Sequence, residues 1–384
     1  MKLKKNVLLA VFAAVLMGCG MNGLNKSENS IKNNSTAPVS MVRENYITQT
    51  EELKKDTKAR INFSNCYFYD FPEMDSFSSL KKIRTEMTEE DALELGSQVL
   101  IDQNLADNKE DAKKMLQSDS KWLQDIRCYE TDEIVINIAS SGLFQFDDGR
   151  LSDYNGHTIR PALTVMEPND EDLESVYYPE QFTNISYKLA DCEMSLKDAA
   201  DIAENYFASS KYDIKSGEIE SKVWRIDVYR YQDFYEYYIH LYRLYHGISI
   251  APGYLGAAYS EDYSIREMRK NAIICDSKGV CSFSGYTESE QFIESSDNYT
   301  EMLDLSQAAD IMKNKLGAEI SAEIERTGLF YVQILDLDYN EDDEYNRDFI
   351  LCWRFEGKDL TSAVGLIVYV DVINGNIYLK CPHD

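Results

Sequence analysis

The stretch that decides the fold is Met194-Ser-Leu-Lys-Asp-Ala-Ala-Asp-Ile-Ala-Glu-Asn-Tyr-Phe207, because the chain contains a second version of it. The second version is Leu303-Asp-Leu-Ser-Gln-Ala-Ala-Asp-Ile-Met-Lys-Asn-Lys-Leu316, and six of the fourteen positions are identical. Each segment opens on a residue, Ser195 or Asp304, whose side-chain oxygen can accept a free backbone N–H. Apolar residues then recur at helical spacing, which predicts an amphipathic helix with one buried face.

A fainter third copy, Met87–Leu95, carries Thr88 at the capping position. The starts of the three segments are separated by 107 and 109 residues, a spacing that indicates an internal repeat. Together the segments predict helices near residues 88–101, 195–208 and 304–317.

Aromatic and β-branched runs follow the second and third segments. Tyr237–Gly247 and Asp348–Gly357 both end at a glycine, as strands that enter turns do. These glycines lie 53 and 54 residues after the starts of their segments, and Asp262 and Asp371 each lie 68 residues after theirs. We therefore expect superposition of the two units to place Gly247 on Gly357 and Asp262 on Asp371.

These patterns predict the α+β class, with tandem repeats of a helix packed on an antiparallel β-sheet. The predicted units are residues 58–193 for the first and divergent one, 194–302 for the second and 303–384 for the third. In the first unit, Phe144–Leu151 is the provisional counterpart of the later strands, at a shorter offset.

Two segments resemble elements of PepSY-type domains. The strand and turn Val368–Ile377 resembles their terminal hairpin, and Tyr242–Ile250 resembles their aromatic strand followed by Gly-Ile-x-Ile. The second unit departs from the pattern, since Asp262–Ile265 lacks the hairpin glycine. The whole layout is similar to uncharacterised lipoproteins of Gram-positive bacteria with tandem PepSY-like repeats. PepSY-type domains occur in protease propeptides and in surface regulatory proteins, so the resemblance implies a binding or regulatory role.

The N-terminus has the order of a secretory signal. Lys2, Lys4 and Lys5 precede the apolar run Val7–Met17, which is shorter than the roughly 20 residues that a membrane-spanning helix needs. Residues 16–19, Leu-Met-Gly-Cys, resemble the lipobox of bacterial lipoproteins. The resemblance implies that residues 1–18 are a signal peptide and that Cys19 is lipidated, placing the protein on the extracytoplasmic face of the cell membrane. A plain signal peptide with an incidental cysteine is the alternative.

The composition beyond Cys19 limits the partners. Residues 19–57 begin with a stretch rich in Asn, Ser and Lys, so we expect a flexible tether there. The net charge is −28, and removal of the three lysines of residues 1–18 would leave about −31. This balance argues against nucleic acid as a partner, because binding to a polyanion needs a basic face.

Seven cysteines remain beyond Cys19, and their scatter is not that of a disulfide framework. A turn sequence separates Cys275 from Cys281, so a cross-strand disulfide and a pair of buried free thiols are both open for these two residues.

No catalytic motif is present, and no residue is predicted to be catalytic, to ligate a metal or to bind a cofactor. The four histidines, His157, His240, His246 and His383, are interpreted as structural or surface residues. Asp336–Arg347 begins like a calcium loop, but Glu341 and Arg347 stand where an EF-hand needs Gly and Glu. This segment is interpreted as a solvated hairpin loop.

The functional expectation is a noncatalytic surface lipoprotein that binds a peptide or protein partner. The alternative is carbohydrate or cell-wall glycan binding through a tyrosine-rich run, and an enzyme comes third. Whether the tyrosines face solvent or core discriminates between the first two. The run comprises Tyr229, Tyr231, Tyr235, Tyr237, Tyr242 and Tyr245.

Overall fold

The computed structural model describes residues 35–57, 59–84, 88–119, 121–123, 126–130, 134–139, 143–150, 172–208, 219–231, 233–255, 270–286, 290–334, 346–362 and 365–380. These residues form a mixed α+β structure with five helices and mostly antiparallel sheets, so the predicted class is confirmed.

The helices are α1 (Val39–Lys55), α2 (Glu89–Asp102), α3 (Lys109–Asp119), α4 (Leu196–Ala208) and α5 (Leu305–Leu316). The strands of the first half are β1 (Ala37–Pro38), β2 (Ile61–Asn62), β3 (Tyr67–Phe68), β4 (Phe77–Arg84), β5 (Lys121–Leu123), β6 (Ile126–Glu130), β7 (Val135–Ala139), β8 (Leu143–Asp147), β9 (Leu173–Tyr177), β10 (Ser186–Lys188) and β11 (Glu193–Ser195). Those of the second half are β12 (Ile219–Tyr231), β13 (Phe234–Tyr245), β14 (Ile248–Leu255), β15 (Lys270–Ile274), β16 (Val280–Tyr286), β17 (Glu290–Tyr299), β18 (Glu301–Met302), β19 (Ala322–Ile334), β20 (Asn346–Asp359), β21 (Gly365–Asp371) and β22 (Ile377–Lys380).

The three helices predicted from the repeated segments are confirmed as α2, α4 and α5. Their predicted caps form as well. Thr88 and Asp304 each accept a backbone N–H in a reciprocal capping box, and Ser195 Oγ accepts from the Asp198 N–H at 3.0 Å. A local hydrogen-bond signal therefore sets where each helix begins.

Helix α1 corrects the prediction of a flexible tether over residues 19–57. Val39, Val42, Tyr46, Thr50 and Leu53 form its buried stripe, and Tyr46 stacks on Trp353 with ring centroids 5.9 Å apart. These residues recur at helical spacing, so the segment buries enough apolar surface to be ordered although its mean hydropathy is low. The tether prediction is wrong for residues 39–55, and residues 19–34 lie outside the described part.

The inner core draws its residues from one part of the chain, Ala92 to Phe283, within which Tyr245, Ile248 and Ile250 belong to the outer core instead. Helices α2, α3 and α4 pack on an antiparallel sheet with the order β9-β12-β13-β15-β16-β8-β7-β6-β5. The predicted counterpart strand near Phe144 is β8, which lies in the middle of this sheet.

The outer core is built from both ends of the chain. Val39–Leu80 and Met302–Val372 supply most of it, and helices α1 and α5 pack on the antiparallel strands β19, β20, β21 and β22. The predicted first unit, residues 58–193, therefore contributes to both cores, since residues 61–80 belong to the outer one.

Strand β14 joins the two parts, because it forms a hairpin with β13 and pairs in parallel with β19. A third apolar cluster lies on the side of the sheets away from these cores. Trp224 stacks on Tyr242 at 4.6 Å between ring centroids, and the Tyr242 hydroxyl accepts a hydrogen bond from Arg354 Nη1 at 2.7 Å.

The predicted equivalence of Gly247 and Gly357 is wrong. Gly247 lies in the turn between β13 and β14 at φ +77°, whereas Gly357 lies inside β20. Gly357 faces a β-bulge between Ile324 and Arg326, and a Cβ there would lie 2.0 Å from the Glu323 carbonyl oxygen. The first glycine serves a left-handed turn and the second a close backbone approach, so their matching offsets are coincidental. Asp262 lies outside the described residues.

Candidate functional site

A cleft of about 740 Å³ opens where the inner and outer parts meet. Its lining comes from the end of α1, the loop between β2 and β3 with the start of β3, the end of β9 with the segment after it, and strands β12, β19 and β20. Sites between packed units are a common location for ligand binding.

Two β-bulges place the cleft arginines. The pairing of β12 with β13 shifts between Val223 and Arg225, and the pairing of β19 with β20 shifts between Ile324 and Arg326. A bulge inserts one residue and re-aims the side chains beside it. In both strands an arginine follows the inserted residue directly, and both arginines line the cleft.

Arg225 is held from the interior of the sheet. Its Nη2 donates to Asp227 Oδ2 at 2.6 Å, and its Nε donates to Oδ1 of the same carboxylate. His240 Nε2 lies 2.9 Å from Asp227 Oδ2, and its Nδ1 lies 3.0 Å from Asn271 Oδ1. Burial alone would raise the pKa of Asp227, but the hydrogen bonds from His240 and Arg225 lower it. The carboxylate is therefore charged at neutral pH and fixes the guanidinium.

Arg326 is more deeply buried and less completely bonded. Only 8 % of the residue is exposed, and its guanidinium carbon lies 3.1 Å from the centroid of the Tyr178 ring. Nη2 lies 3.3 Å from Glu180 Oε1 and Nη1 lies 3.7 Å from Glu325 Oε2. Nε has no hydrogen-bond partner among the described residues.

Lys54 and Lys358 complete a cationic lining of four side chains, against the two carboxylates of Glu180 and Glu325. Lys358 Nζ lies 2.9 Å from Glu325 Oε1, and Lys54 Nζ lies 5.3 Å from the centroid of the Phe68 ring. Asp227, which pairs with Arg225, is a third carboxylate, so the cleft side chains and their direct partners carry a positive excess of one charge on a chain whose net charge is −28.

The cleft also holds a thiol and two phenols in their neutral forms. Cys66 is 2 % exposed, and its Sγ lies 3.4 Å from Thr327 Oγ1. Burial raises the pKa of the Cys66 thiol to about 12, more than the nearby charges of Lys54 and Arg326 lower it. Burial likewise raises the pKa of Tyr67 and of Tyr178. At neutral pH these groups can donate hydrogen bonds but are not anionic nucleophiles.

The two histidines that the structure describes, His240 and His246, are a structural and a surface residue respectively. His240 is buried in the sheet, and His246 is exposed in the turn after β13 at φ +48°. His157 and His383 lie outside the described residues.

The tyrosine-rich run faces mostly inward. Tyr229, Tyr237, Tyr242 and Tyr245 are buried and Tyr235 is half-buried, while the side chain of Tyr231 is not described. These tyrosines contribute to packing, as the core interpretation of the run expected, and the surface that glycan binding requires is not formed by them.

The remaining candidates divide between described and undescribed residues. Cys19 lies outside the described part, and so do residues 335–345, which contain most of the acidic loop. That loop joins β19 to β20, which pair in antiparallel fashion as a hairpin does.

Cys275 and Cys281 are buried free thiols with a hydrogen bond between them, and burial raises the pKa of Cys281 well above its ordinary value. Across the described ranges no group of three or more metal-ligating side chains occurs.

None of the cleft residues was identified from the sequence. The local signal is slight: Arg225 and Asp227 alternate on one face of a strand, as Arg354 and Glu356 do. Such i,i+2 pairs predict a charged strand face, but they do not indicate that two such faces meet.

The chain matches no protein-family model, and none of the curated proteins is significantly similar to it. In the described segments, no helix combines the length and the apolar character needed to cross a membrane.

Proposed function

We propose that this chain is a noncatalytic binding module for a peptide or protein partner, and that the cleft is its binding site. The observation that carries the proposal is the local charge: four cationic side chains line a cleft of about 740 Å³, where they outnumber the three carboxylates that pair with them, on a chain of net charge −28. A local potential opposite to that of the surrounding surface orients a partner and repels those that lack the complementary charge.

Binding is favoured over catalysis by the state of the cleft side chains. The Cys66 thiol has a pKa of about 12, so it is not a thiolate at neutral pH. Arg225 is fixed by Asp227, and Arg326 is stacked on Tyr178. This arrangement supports recognition by preformed donors.

The second and third units are, in this proposal, tandem copies of one PepSY-like α+β fold, with a register different from the one that glycine offsets suggested. Tyr237 Oη donates to the carbonyl oxygen of Met194, and Trp353 Nε1 donates to that of Leu303, which are the first residues of the two repeated segments. Both units also have a β-bulge directly before an arginine, Arg225 in β12 and Arg326 in β19. Tyr237 then corresponds to Trp353, and Leu241, rather than Gly247, corresponds to Gly357.

The module is held, in this proposal, on the extracytoplasmic face of a membrane by acyl chains on Cys19. Replacement Cys19→Ala should abolish metabolic labelling by a fatty-acid analogue and release the protein from the membrane fraction, since burial of acyl chains contributes about 0.8 kcal/mol per CH₂. The size of the product must be checked, because an uncleaved signal could retain it. Fatty-acid label that persists in Cys19→Ala would refute the anchor.

The binding proposal is tested by site-specific cross-linking in intact cells. A photo-reactive amino acid at Asn65, which is exposed at the cleft, should form an adduct with a peptide or protein partner. Lys114 on α3 is the matched exposed control outside the cleft. The double variant Lys54→Glu, Lys358→Glu should remove the Asn65 adduct. Identical adducts from Asn65 and Lys114, or none from Asn65, would contradict the proposal.

A further inference from the structure

We infer that the partner docks in the cleft through a carboxylate, which is bound between the guanidinium of Arg326 and the ammonium of Lys54. The inference rests on the proposed function and specifies the ligand chemistry of the same cleft: an acidic peptide segment.

The first support is the difference between Arg326 and the two other arginines of this region. Arg225 donates from Nε and Nη2 to the two oxygens of Asp227, and Arg354 donates to Tyr242 and Glu356 at 2.7 Å each. Arg326 makes one hydrogen bond, at 3.3 Å to Glu180. Its Nε has no partner among the described residues, and neither has the Nε of Arg354, so Arg326 differs from Arg354 in the smaller number and greater length of its hydrogen bonds. Charge-assisted pairs of this kind are normally about 2.7–2.9 Å long. Arg326 is therefore buried with donor capacity unused.

The second support is the orientation of the guanidinium. Its carbon lies 3.1 Å from the centre of the Tyr178 ring, a stacked position. The N–H groups of a guanidinium lie in its own plane, so stacking on an aromatic face leaves them available to carboxylates. Nη2 and Nη1 meet Glu180 and Glu325 only at 3.3 and 3.7 Å, so a ligand carboxylate that binds in a bidentate manner would compete with two long contacts. Tyr178 thus sets the direction of the donors before the ligand arrives, and little ordering entropy is lost on binding.

The third support is a second cation beside the first. Lys54, Arg326 and Cys66 line the same cleft, and the charges of both cations act on the Cys66 thiol, against that of the Glu180 carboxylate. Within the described residues no carboxylate lies within 4.0 Å of Lys54 Nζ. Two cations in one cleft, one of them without an ion-pair partner, suit an incoming anion.

The size of the cleft favours a peptide over a free anion. A volume of about 740 Å³ is within the range of roughly 300–1,000 Å³ that is typical of ligand pockets, and it can hold several side chains of a peptide. The phenol of Tyr67 and the amide of Asn65 add neutral donors at the same wall. The carboxylate can come from an Asp or Glu side chain or from the C-terminus of the peptide.

The test is selection from a random peptide library on the purified wild-type protein and on the Lys54→Gln variant. We expect peptides enriched in Asp and Glu on the wild type, and loss of this enrichment on Lys54→Gln. Lys114→Gln is the control that removes the same charge outside the cleft. The net charge of −28 by itself predicts the opposite result, enrichment of Lys and Arg. Basic or neutral selected peptides would overturn the inference.

Selected peptides are then synthesised in matched forms, with Glu replaced by Gln or with the C-terminal carboxylate as an amide. The form that removes the docking group should bind about tenfold more weakly, and the remaining form should bind as before, which identifies the source of the carboxylate. Arg326→Lys keeps the charge but not the bidentate fork and should weaken the same peptides. Unchanged affinity of both the Gln and the amide forms would refute carboxylate docking.

The failure of the inference is distinguishable from the failure of the proposed function. If neutral peptides bind and Lys54→Gln or Arg326→Lys still weakens them, the cleft is a binding site but not a carboxylate site. If neither variant changes the binding of any selected peptide and cross-linking at Asn65 yields no partner, the proposed function itself is wrong.

Discussion

Replacement of Gly357 by alanine tests the bulge that places Arg326. A Cβ on Gly357 would lie 2.0 Å from the Glu323 carbonyl oxygen and 2.8 Å from Ile324 Cα, whereas real Cβ contacts are essentially never under 3.0 Å. The backbone of β19 or β20 must therefore move by about 1 Å. We expect this to distort two ladder hydrogen bonds, at about 1 kcal/mol each, and to add packing strain of about 1–3 kcal/mol. The free energy of unfolding should fall by about 3 kcal/mol or more.

The assay is urea unfolding followed by tryptophan fluorescence, to which the buried Trp353 and the two other tryptophans contribute, with Gly247→Ala as the matched control. Gly247 has nothing within 4 Å of its virtual Cβ, and its cost comes only from φ +77°, about 1–2 kcal/mol. Asparagine tolerates that φ, so Gly247→Asn should be milder than Gly247→Ala, while Gly357→Asn should be at least as damaging as Gly357→Ala. A loss below about 1 kcal/mol for Gly357→Ala would show that the close approach does not constrain this position.

Three further outcomes are expected. Tyr237→Phe leaves the buried carbonyl of Met194 and the N–H of Tyr187 without their partner, so urea unfolding should show a loss of about 1–3 kcal/mol; an unchanged midpoint would contradict the shared hydrogen bond. Burial raises the pKa of Asp371 because it penalises the charged form, so Asp371→Asn should match or exceed wild-type stability at about pH 7. This advantage should shrink as the pH falls through the raised pKa toward about 4, where the wild-type carboxyl becomes neutral. Asp371→Ala also loses the acceptor of the Ile373 N–H and should be less stable by about 1 kcal/mol, and an Asn variant as unstable as the Ala variant would argue against a buried charge. Cys275 and Cys281 should resist alkylation in the native protein and react after unfolding without reductant, as mass spectrometry of peptides would detect; failure of both to react in denaturant would establish a disulfide between them.

The helices of the repeated segments were predictable because their signals are local. Thr88, Ser195 and Asp304 each act on a backbone amide three residues on, so the sequence of one turn contains both the donor and the acceptor. The strand runs were predictable for a similar reason, since β-branched and aromatic residues favour strands wherever they lie.

The cleft was not predictable because its geometry arises from pairs of distant segments. The bulge at Arg326 exists only in the register of β19 against β20, and Tyr178 reaches Arg326 from a segment almost 150 residues away. Helix α1 was missed for a related reason, since its stripe includes Tyr46 and Thr50, which count as apolar only once a partner such as Trp353 covers them.

The discontinuous outer core has a consequence for the order in which the chain folds. Synthesis proceeds from the N-terminus at about 5–20 residues per second, so roughly 15–60 s separate the appearance of Tyr46 from that of its stacking partner Trp353. Strand β1, which precedes α1, cannot pair until Met302 has been synthesised, because Ala37 pairs with Met302. The inner core, which ends at Phe283, is complete in sequence before either partner exists. During that interval the apolar stripe of α1 has only nearby residues such as Phe71, 5.4 Å from Tyr46 between ring centroids, to pack against, and a chaperone that shields short amphipathic segments would act on the nascent chain at this helix.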